Sequence, residues 1–268
     1  MRVCLLVLLW VIPSNQDVKL LGLFPQHVNN RFFQYSPTYF RSGVEVWSRQ
    51  CLAMFRAAIS LANQYNIRLN NETISGDVIR TNNNENGHDA LNRLCQYISS
   101  EHSNVVGIVG PATSSNVRFI GPFADHVKLP VISYAATNAD FSDIKLYPTF
   151  YRTVSSDLLL ARAIVQLFEE FKWKTCTLIL QKDDYGYGGL NILSEYYHQN
   201  IAIKKRLTFD GKEFNDNLTK TLIDSGTRIV LVWADETETT SIIAKAINES
   251  VIGAPYVWIT TDEVSLCN

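Results

Sequence analysis

Short apolar runs alternate along the chain with longer segments in which apolar residues recur every three or four positions. The runs 105–109 and 229–233 are apolar throughout, which is typical of strands buried on both faces of a parallel sheet. The segments 46–63 and 158–171 have the helical period, with one apolar side. Because the two kinds of segment alternate from residue 18 onward, we predict an α/β fold of parallel sheets with helices on both faces.

The predicted elements exceed one doubly wound sheet, so we divide the chain near residue 153 into a lobe 17–153 and a lobe 154–268. The polar segment 138–143 and the extended segment 147–152 are interpreted as the crossing between the lobes. Ligands of such folds bind at the carboxyl ends of strands, so we expect functional residues directly after strands. The predicted strands are 18–24, 73–79, 105–109, 130–133, 177–180, 201–209, 229–233 and 256–260, and the predicted helices are 46–63, 88–98, 114–125, 158–171, 187–199, 214–224 and 238–248.

Residues 1–16 have the layout of a secretory signal peptide. Arg2 precedes the unbroken apolar run 3–12, and small or polar residues follow it. Such a run is too short to span a bilayer. A buried first strand is the alternative interpretation, but it does not account for the order of charge, apolar run and small residues. Glycosylation sequons at Asn71, Asn217 and Asn248 agree with secretion.

Composition and missing motifs exclude several functions. A net charge of −2 gives no reason to expect a nucleic-acid or membrane-surface binder, and the basic cluster 204–206 is interpreted as a solvated strand edge. The chain lacks a GxSxG elbow, a P-loop and an HExxH motif, and no two histidines are four residues apart. The glycine-rich stretch 186–189 fits the turn that begins a helix better than a nucleotide cradle. We therefore predict no enzyme activity, no metal and no cofactor.

Residues suited to a carboxylate follow the predicted strands of the first lobe. Gly110 and Pro111 end strand 105–109, and Ser114 or Ser115 then caps a helix. The free N–H groups and the dipole at a helix start suit a carboxylate, although a plain N-cap explains the serines equally well. After strand 130–133, Ala135 leaves room near the backbone and Thr137 offers a hydroxyl.

Residues suited to an amine follow later. Asp157 opens a helix, Tyr185 follows strand 177–180, and Asp262 follows strand 256–260. Acids and an aromatic ring bind an ammonium group. With the hydroxyls of the first lobe, they predict a site for a zwitterion such as an amino acid.

Several segments resemble a known family. They are LGLFPQH at 21–27, GIVGP at 107–111, ISYAAT at 132–137 and YPTFYRTV at 147–154, and the stretch 168–174 adds a likeness to metabotropic GABA receptors. Together they resemble the Venus-flytrap ligand-binding module of class C G-protein-coupled receptors, from about residue 18 to 264. Natriuretic peptide receptors, ionotropic glutamate receptors and bacterial amino-acid-binding proteins share this module.

The resemblance implies a two-lobed fold like that of type I periplasmic binding proteins, with an incomplete second lobe. It implies an extracellular receptor region that binds a small amino-acid-like ligand, dimerises through lobe 1 and acts on a G protein through a transmembrane region. The alternatives are the ligand-binding domain of a receptor guanylyl cyclase and a soluble amino-acid-binding protein.

The family's binding residues carry over position by position. The carboxylate-binding serine falls on Ser114, the threonine that contacts carboxylate and amine on Thr137, and the amine-binding aspartate on Asp262, while Asp157 and Tyr185 match a further aspartate and an aromatic residue. Two departures from the family pattern argue against specificity for glutamate. The arginine that holds a distal acid falls on Arg49 or Gln50, with Gln50 favoured, and a family serine is replaced by Ala135.

Four cysteines lie beyond the signal peptide, and none forms a CxxC pair. Cys51 and Cys95 fall on predicted helices of consecutive strand–helix units, which often pack side by side. A disulfide between Cys51 and Cys95 is therefore one expectation for a secreted protein, and two separate thiols are the other.

Overall fold

The computed structural model describes residues 17–26, 43–82, 87–101 and 104–262. The predicted signal peptide lies outside this range. The chain divides into two units: the first contains residues up to Ala136 together with Asp143–Val154, and the second contains Thr137–Ser142 together with the residues from Ser155 onward. Residues 137–142, which the sequence analysis grouped with the first lobe, thus belong to the second unit.

The first unit contains a five-stranded sheet in the order β2-β1-β3-β4-β5, and every neighbouring pair of strands is parallel. Residues 150–152, predicted as part of a crossing, form its edge strand. The elements are β1 (Val18–Gln26), α1 (Gly43–Gln64), β2 (Ile74–Asn82), α2 (Gly87–Glu101), β3 (Val105–Val109), α3 (Ser114–His126), β4 (Val131–Ser133) and β5 (Phe150–Arg152).

The second unit contains a four-stranded parallel sheet in the order β7-β6-β8-β9. Its elements are a 3₁₀ turn (Ala139–Ser142), α4 (Asp157–Glu170), β6 (Thr175–Gln181), α5 (Asp184–Glu195), β7 (Ala202–Phe209), α6 (Leu218–Ser225), β8 (Ile229–Trp233), α7 (Glu236–Asn248) and β9 (Val257–Thr260). The predicted α/β fold with two parallel sheets is confirmed.

Helices pack on both faces of the second sheet. Successive side chains of a strand point to opposite faces, so neighbouring residues of β6 contact different helices. Leu178 and Leu180 of β6 pack under α4 and α5, whereas Ile179 packs under α6 and α7. All five residues of β8 are buried. The continuous apolar runs in the sequence therefore mark strands that are covered on both sides.

Cys51 and Cys95 are separate thiols in this structure, so the disulfide expectation is corrected. The chain moves from β1 to its neighbour β2 in one direction and returns across β1 to reach β3. Right-handed crossovers in opposite directions place their helices on opposite faces of the sheet. Cys51 accordingly packs with the Phe24–Phe55 cluster beneath α1, while α2, which carries Cys95, packs beside α3.

Helix α3 begins at the predicted residue 114 but has a different cap, whereas α5 and α7 begin earlier than predicted. Thr113, rather than Ser114 or Ser115, is the N-cap of α3: its backbone is extended and its Oγ1 accepts a hydrogen bond from the amide of Asn116. Asp183 caps α5 and Asp235 caps α7, so both helices begin before the predicted residues 187 and 238. Among the described residues, no helix combines the length and apolar character needed to cross a membrane.

Candidate ligand-binding site

The second sheet has a topological switch point between β6 and β8. The chain leaves β6 toward β7 on one side and later reaches β8 on the other side. Ligands of parallel α/β sheets bind beside such a point, at the carboxyl ends of the strands. The residues in that position are Gln181 and Asp183 after β6, and Asp235 after β8.

Gln181 connects the two aspartates at this switch point. Its Nε2 donates to Asp183 Oδ2 at 2.9 Å and to Asp235 Oδ2 at 3.2 Å. Its Oε1 accepts from the backbone amide of Asp235 at 2.9 Å. Because Asp183 caps α5 and Asp235 caps α7, one side chain holds the starts of two helices together.

Tyr185 lies in the first turn of α5, directly after the cap. Its hydroxyl donates to Thr261 Oγ1 at 3.4 Å, and its ring centroid is 6.3 Å from that of Trp233. Gly189 permits close packing of α5 on β8, since a Cβ at this position would lie 2.2 Å from the Trp233 ring. The tyrosine is thereby fixed over the carboxyl end of the sheet.

Three carboxylates act on the Tyr185 hydroxyl. Burial raises the pKa of Tyr185 above its usual value, and the charges of Asp157, Asp262 and Asp235 raise it further. Because Coulomb interactions fall off with distance, these side chains lie near the phenol. The structure thus brings together three of the predicted ligand-binding residues, Asp157, Tyr185 and Asp262, and adds Asp235.

Asp157 is the first residue of α4, and only 3% of its surface is exposed. Its backbone amide donates to the carbonyl oxygen of Thr137 at 2.9 Å. The preceding residue, Ser156, caps the helix by accepting from the amide of Leu158. Thr137, which is half-buried, therefore lies beside the start of α4 in the second unit.

Ser114 and Ala135 belong to the first unit. Ser114 is the first residue of α3 and is 4% exposed. The loop before it is held by Ser133, whose Oγ donates to Pro111 O at 2.7 Å and accepts from the amides of Ala136 and Ala135. Gly110 has a φ of 101°, and a Cβ there would lie 2.4 Å from Leu23 O, so this loop requires glycine.

Arg49 and Gln50, the two positions considered for the family's arginine, lie on α1 of the first unit. Both are exposed. Ser48 beside them is buried, and its Oγ donates to Pro25 O at 2.6 Å, which joins α1 to the carboxyl end of β1.

Asp183, Asp235 and Glu238 form an acidic group that the sequence analysis did not assign to the site. Burial raises the pKa of Asp183 to about 6 and that of Glu238 to about 7, and neighbouring carboxylates contribute to both shifts. Burial also raises the pKa of Asp235. An aspartate that follows an apolar strand and precedes a helix is the sequence signal that identifies Asp183 and Asp235.

Within the described ranges, no three His, Cys, Asp or Glu side chains are arranged to hold a metal ion. The asparagines of the three predicted glycosylation sites are all exposed. Asn217 also caps α6, where its Oδ1 accepts from the amide of Lys220 at 2.7 Å.

Comparison with known proteins adds a family. Residues 50–266 match the family described as receptor family ligand binding region. The chain is 23% identical over 230 residues to glutamate receptor 3.1 of Oryza sativa subsp. japonica, an alignment that covers 84% of this chain and 24% of the relative. It is 25% identical over 184 residues to taste receptor type 1 member 3 of Mus musculus, with 66% of this chain and 21% of the relative covered.

Metabotropic glutamate receptor 4 of Mus musculus is a third relative, 27% identical over 171 residues that cover 62% of this chain and 19% of the relative. The chain spans at most 24% of the length of these three relatives. The predicted resemblance to the ligand-binding region of class C receptors is confirmed.

Proposed function

This chain belongs to the family described as receptor family ligand binding region, and from that premise we propose that it is the extracellular ligand-binding part of a cell-surface receptor. We propose that its ligand is a small α-amino acid or a close analogue. The observation that carries this proposal is the convergence of Asp157, Tyr185 and Asp262 in the second unit. The named relatives are receptors, which supports a binding function rather than an enzymatic one.

The acidic residues supply the contacts that an ammonium group requires. The charges of Asp157 and Asp262 act on the Tyr185 hydroxyl, and a cation is stabilised both by carboxylates and by the face of an aromatic ring. Asp157 is buried, so its charge is little screened by solvent. The ligand's amine is therefore proposed to bind to the second unit.

The ligand's carboxylate is proposed to bind the Thr137 hydroxyl and the start of α3 at Ser114. The first amides of a helix have no partner within the helix, and the positive end of the helix dipole attracts an anion. Ala135 supplies no hydroxyl, and Gln50, favoured over Arg49 as the match for the family's arginine, supplies no positive charge. We therefore propose a ligand without a second acidic group.

Receptor activation is proposed to follow from closure of the two lobes around the ligand. A ligand shifts such an equilibrium only by its differential affinity for the two states, and a near-complete switch requires on the order of 5 kcal/mol. The ligand's contacts with Ser114 of one lobe and Asp157 of the other would supply this difference, because both can form at once only when the lobes are closed.

We also propose that the full-length receptor is anchored in the plasma membrane, dimerises through the first lobe and signals through a G protein. Helix α1 of the first unit supports the dimer. It exposes large apolar side chains, with Met54 69% and Leu61 49% exposed, and such residues are enriched where proteins associate.

Isothermal titration calorimetry of the purified chain against the common amino acids and γ-aminobutyric acid tests this function. The proposal requires saturable heat for at least one of these compounds. It also requires that the N-acetyl derivative of that compound bind at least tenfold more weakly, since acetylation removes the positive charge. If none of these compounds gives binding heat, or if the acetylated compound binds as tightly as its parent, the proposal is contradicted.

A further inference from the structure

A cavity lies on the α5 side of the second sheet, at the edge strand β7. It has a volume of about 250 Å³ and is lined by Leu180, Tyr187, Leu190, Arg206, Thr208 and Asn215. None of these residues is among the candidate residues for the amino acid. All of them belong to the second unit, so the cavity is complete within that unit.

The position of α5 explains why the cavity exists. Gly189 brings this helix into contact with Trp233 of β8. The helix is thereby placed over the central strands, and the later part of the edge strand β7 is less covered, with Arg206 exposed and Thr208 half-buried. Arg206 and Thr208 lie opposite Leu178 and Leu180 in the strand register, so both point to the same face of the sheet as these leucines.

The polar atoms around the cavity are mainly donors. The amide of Thr208 donates to Asn215 Oδ1 at 2.7 Å, and the amide of Asn215 donates to Thr208 O at 3.0 Å, so these acceptors are occupied. The remaining polar groups are the Arg206 guanidinium, the Thr208 and Tyr187 hydroxyls and the Asn215 side-chain NH₂. Within the described part of the chain, none of these four groups makes a hydrogen bond or ion pair, and the lining contains no acidic residue.

We propose that this cavity is a binding site for a small organic acid with an apolar body. Leu190 and the ring of Tyr187 flank the place of the apolar body, and Leu180, which is 1% exposed, lies at its base. The Arg206 guanidinium presents a fork of donors that matches a carboxylate, and the neighbouring hydroxyl and amide donors supplement it. The volume lies slightly below the usual range for drug-sized ligands and suits an acid with one ring.

Benzoate is the probe, and its neutral isostere benzamide is the matched control ligand. Calorimetry with the full chain is expected to show saturable binding of benzoate and at least tenfold weaker binding of benzamide. The variant Arg206→Gln removes the positive charge and is expected to weaken benzoate binding at least tenfold, equivalent to about 1.4 kcal/mol. Lys204→Gln is the control variant, because it removes the same charge from the same strand at a residue that does not line the cavity. It is expected to change affinity less than twofold.

A covalent label locates the site without relying on a variant. Photolysis of 4-azidobenzoate with the wild-type chain is expected to label peptides that contain residues 187–190 or 206–215, and excess benzoate should prevent this labelling. The site is ruled out if benzoate does not bind, if benzamide binds equally well, if both variants lose affinity to the same extent, or if the label is found elsewhere. Amino-acid binding should be unchanged in Arg206→Gln, which separates this site from the one proposed above.

Discussion

The backbone amide of Asp157 donates a hydrogen bond to the carbonyl oxygen of Thr137 at 2.9 Å. Two residues that the sequence selected as ligand-binding are therefore joined through their main chains in the second unit. This bond ties the segment that follows β4 to the start of α4. Side-chain substitutions at either position leave the bond intact, so the contribution of each side chain to ligand binding can be measured separately.

Replacing Thr137 by alanine is expected to weaken amino-acid binding without unfolding the protein. The loss of one hydrogen bond to the ligand's charged carboxylate costs about 1.5–3 kcal/mol, which corresponds to a roughly 10- to 150-fold weaker affinity. Thr137→Ser keeps the hydroxyl and should bind within about twofold of wild type. Calorimetry measures the affinities, and thermal melting measures stability. A melting temperature that falls by several degrees in Thr137→Ala would show that the side chain is structural.

The acidic group around Gln181 predicts how stability depends on pH. Burial raises the pKa of Asp183 from 3.8 to about 6 and that of Glu238 from 4.5 to about 7, so the folded state holds protons that the unfolded chain has lost. The stability that these protonated groups provide is fully present below their unfolded-state pKa values of 3.8 and 4.5. It is lost as pH rises through their folded-state pKa values of about 6 and about 7. We therefore expect Glu238→Gln to be more stable than wild type at pH 8 and equally stable at pH 4.

Urea unfolding at a series of pH values measures this difference. The matched control is Glu170→Gln, because Glu170 is exposed at the end of α4. The control should follow the wild-type curve at every pH. If Glu238→Gln also follows it, the carboxylate of Glu238 is not destabilised by its surroundings.

Gly189→Ala is expected to destabilise the second unit. Its Cβ would lie 2.2 Å from the ring of Trp233, a fully buried residue. Overpacking of this kind typically costs about 1–3 kcal/mol. Because α5 also carries Tyr185, amino-acid affinity should fall together with stability. Gly107→Ala is the control, since its Cβ would lie 3.5 Å from the nearest atom, and a melting temperature equal in the two variants would contradict this account of the packing.

Expression in a secreting eukaryotic cell is expected to give a chain with N-linked glycans at Asn71, Asn217 and Asn248. All three side chains are exposed. Treatment with a glycosidase should lower the apparent mass, and each Asn→Gln variant should remove one glycan. Asn217→Gln should also lose an N-cap and thus about 1 kcal/mol of stability, whereas Asn248→Gln, at the end of α7, should not. A wild-type chain whose mass is unchanged by the enzyme would contradict glycosylation at these sites.

Much of the fold could be predicted because parallel sheets leave a strong pattern in the sequence. The run Ile229–Trp233 is apolar at every position because helices cover both of its faces. Helix starts were less predictable, since Thr113, Ser114 and Ser115 all have side chains that can cap a helix. The extended backbone of Thr113 and the hydrogen bond that its Oγ1 accepts from the amide of Asn116 distinguish it as the cap.

Properties that depend on the order of strands in the sheet could not be predicted from the pattern of residues along the sequence. Cys51 and Cys95 lie in consecutive strand–helix units, but the reversal of direction at β2 separates their helices. The link from Gln181 to Asp183 and Asp235 likewise depends on β6 and β8 being neighbours. In contrast, the grouping of Asp157, Tyr185 and Asp262 could be anticipated, because each residue follows a strand or begins a helix at the same end of one sheet.

Comparison of Asp157→Asn with Asp224→Asn tests the central claim most directly. Both variants remove one negative charge with little change in shape. Asp157 lies near Tyr185 in the proposed amine site, whereas Asp224 is exposed on α6. For an amino acid that binds wild type, calorimetry should show an affinity at least tenfold lower in Asp157→Asn, since a hydrogen bond to a charged group contributes about 1.5–3 kcal/mol. The affinity of Asp224→Asn should stay within about twofold of wild type, and both variants should melt close to the wild-type temperature. Equal affinity of wild type and a folded Asp157→Asn would contradict the claim that this chain binds the amine of an amino acid in its second unit.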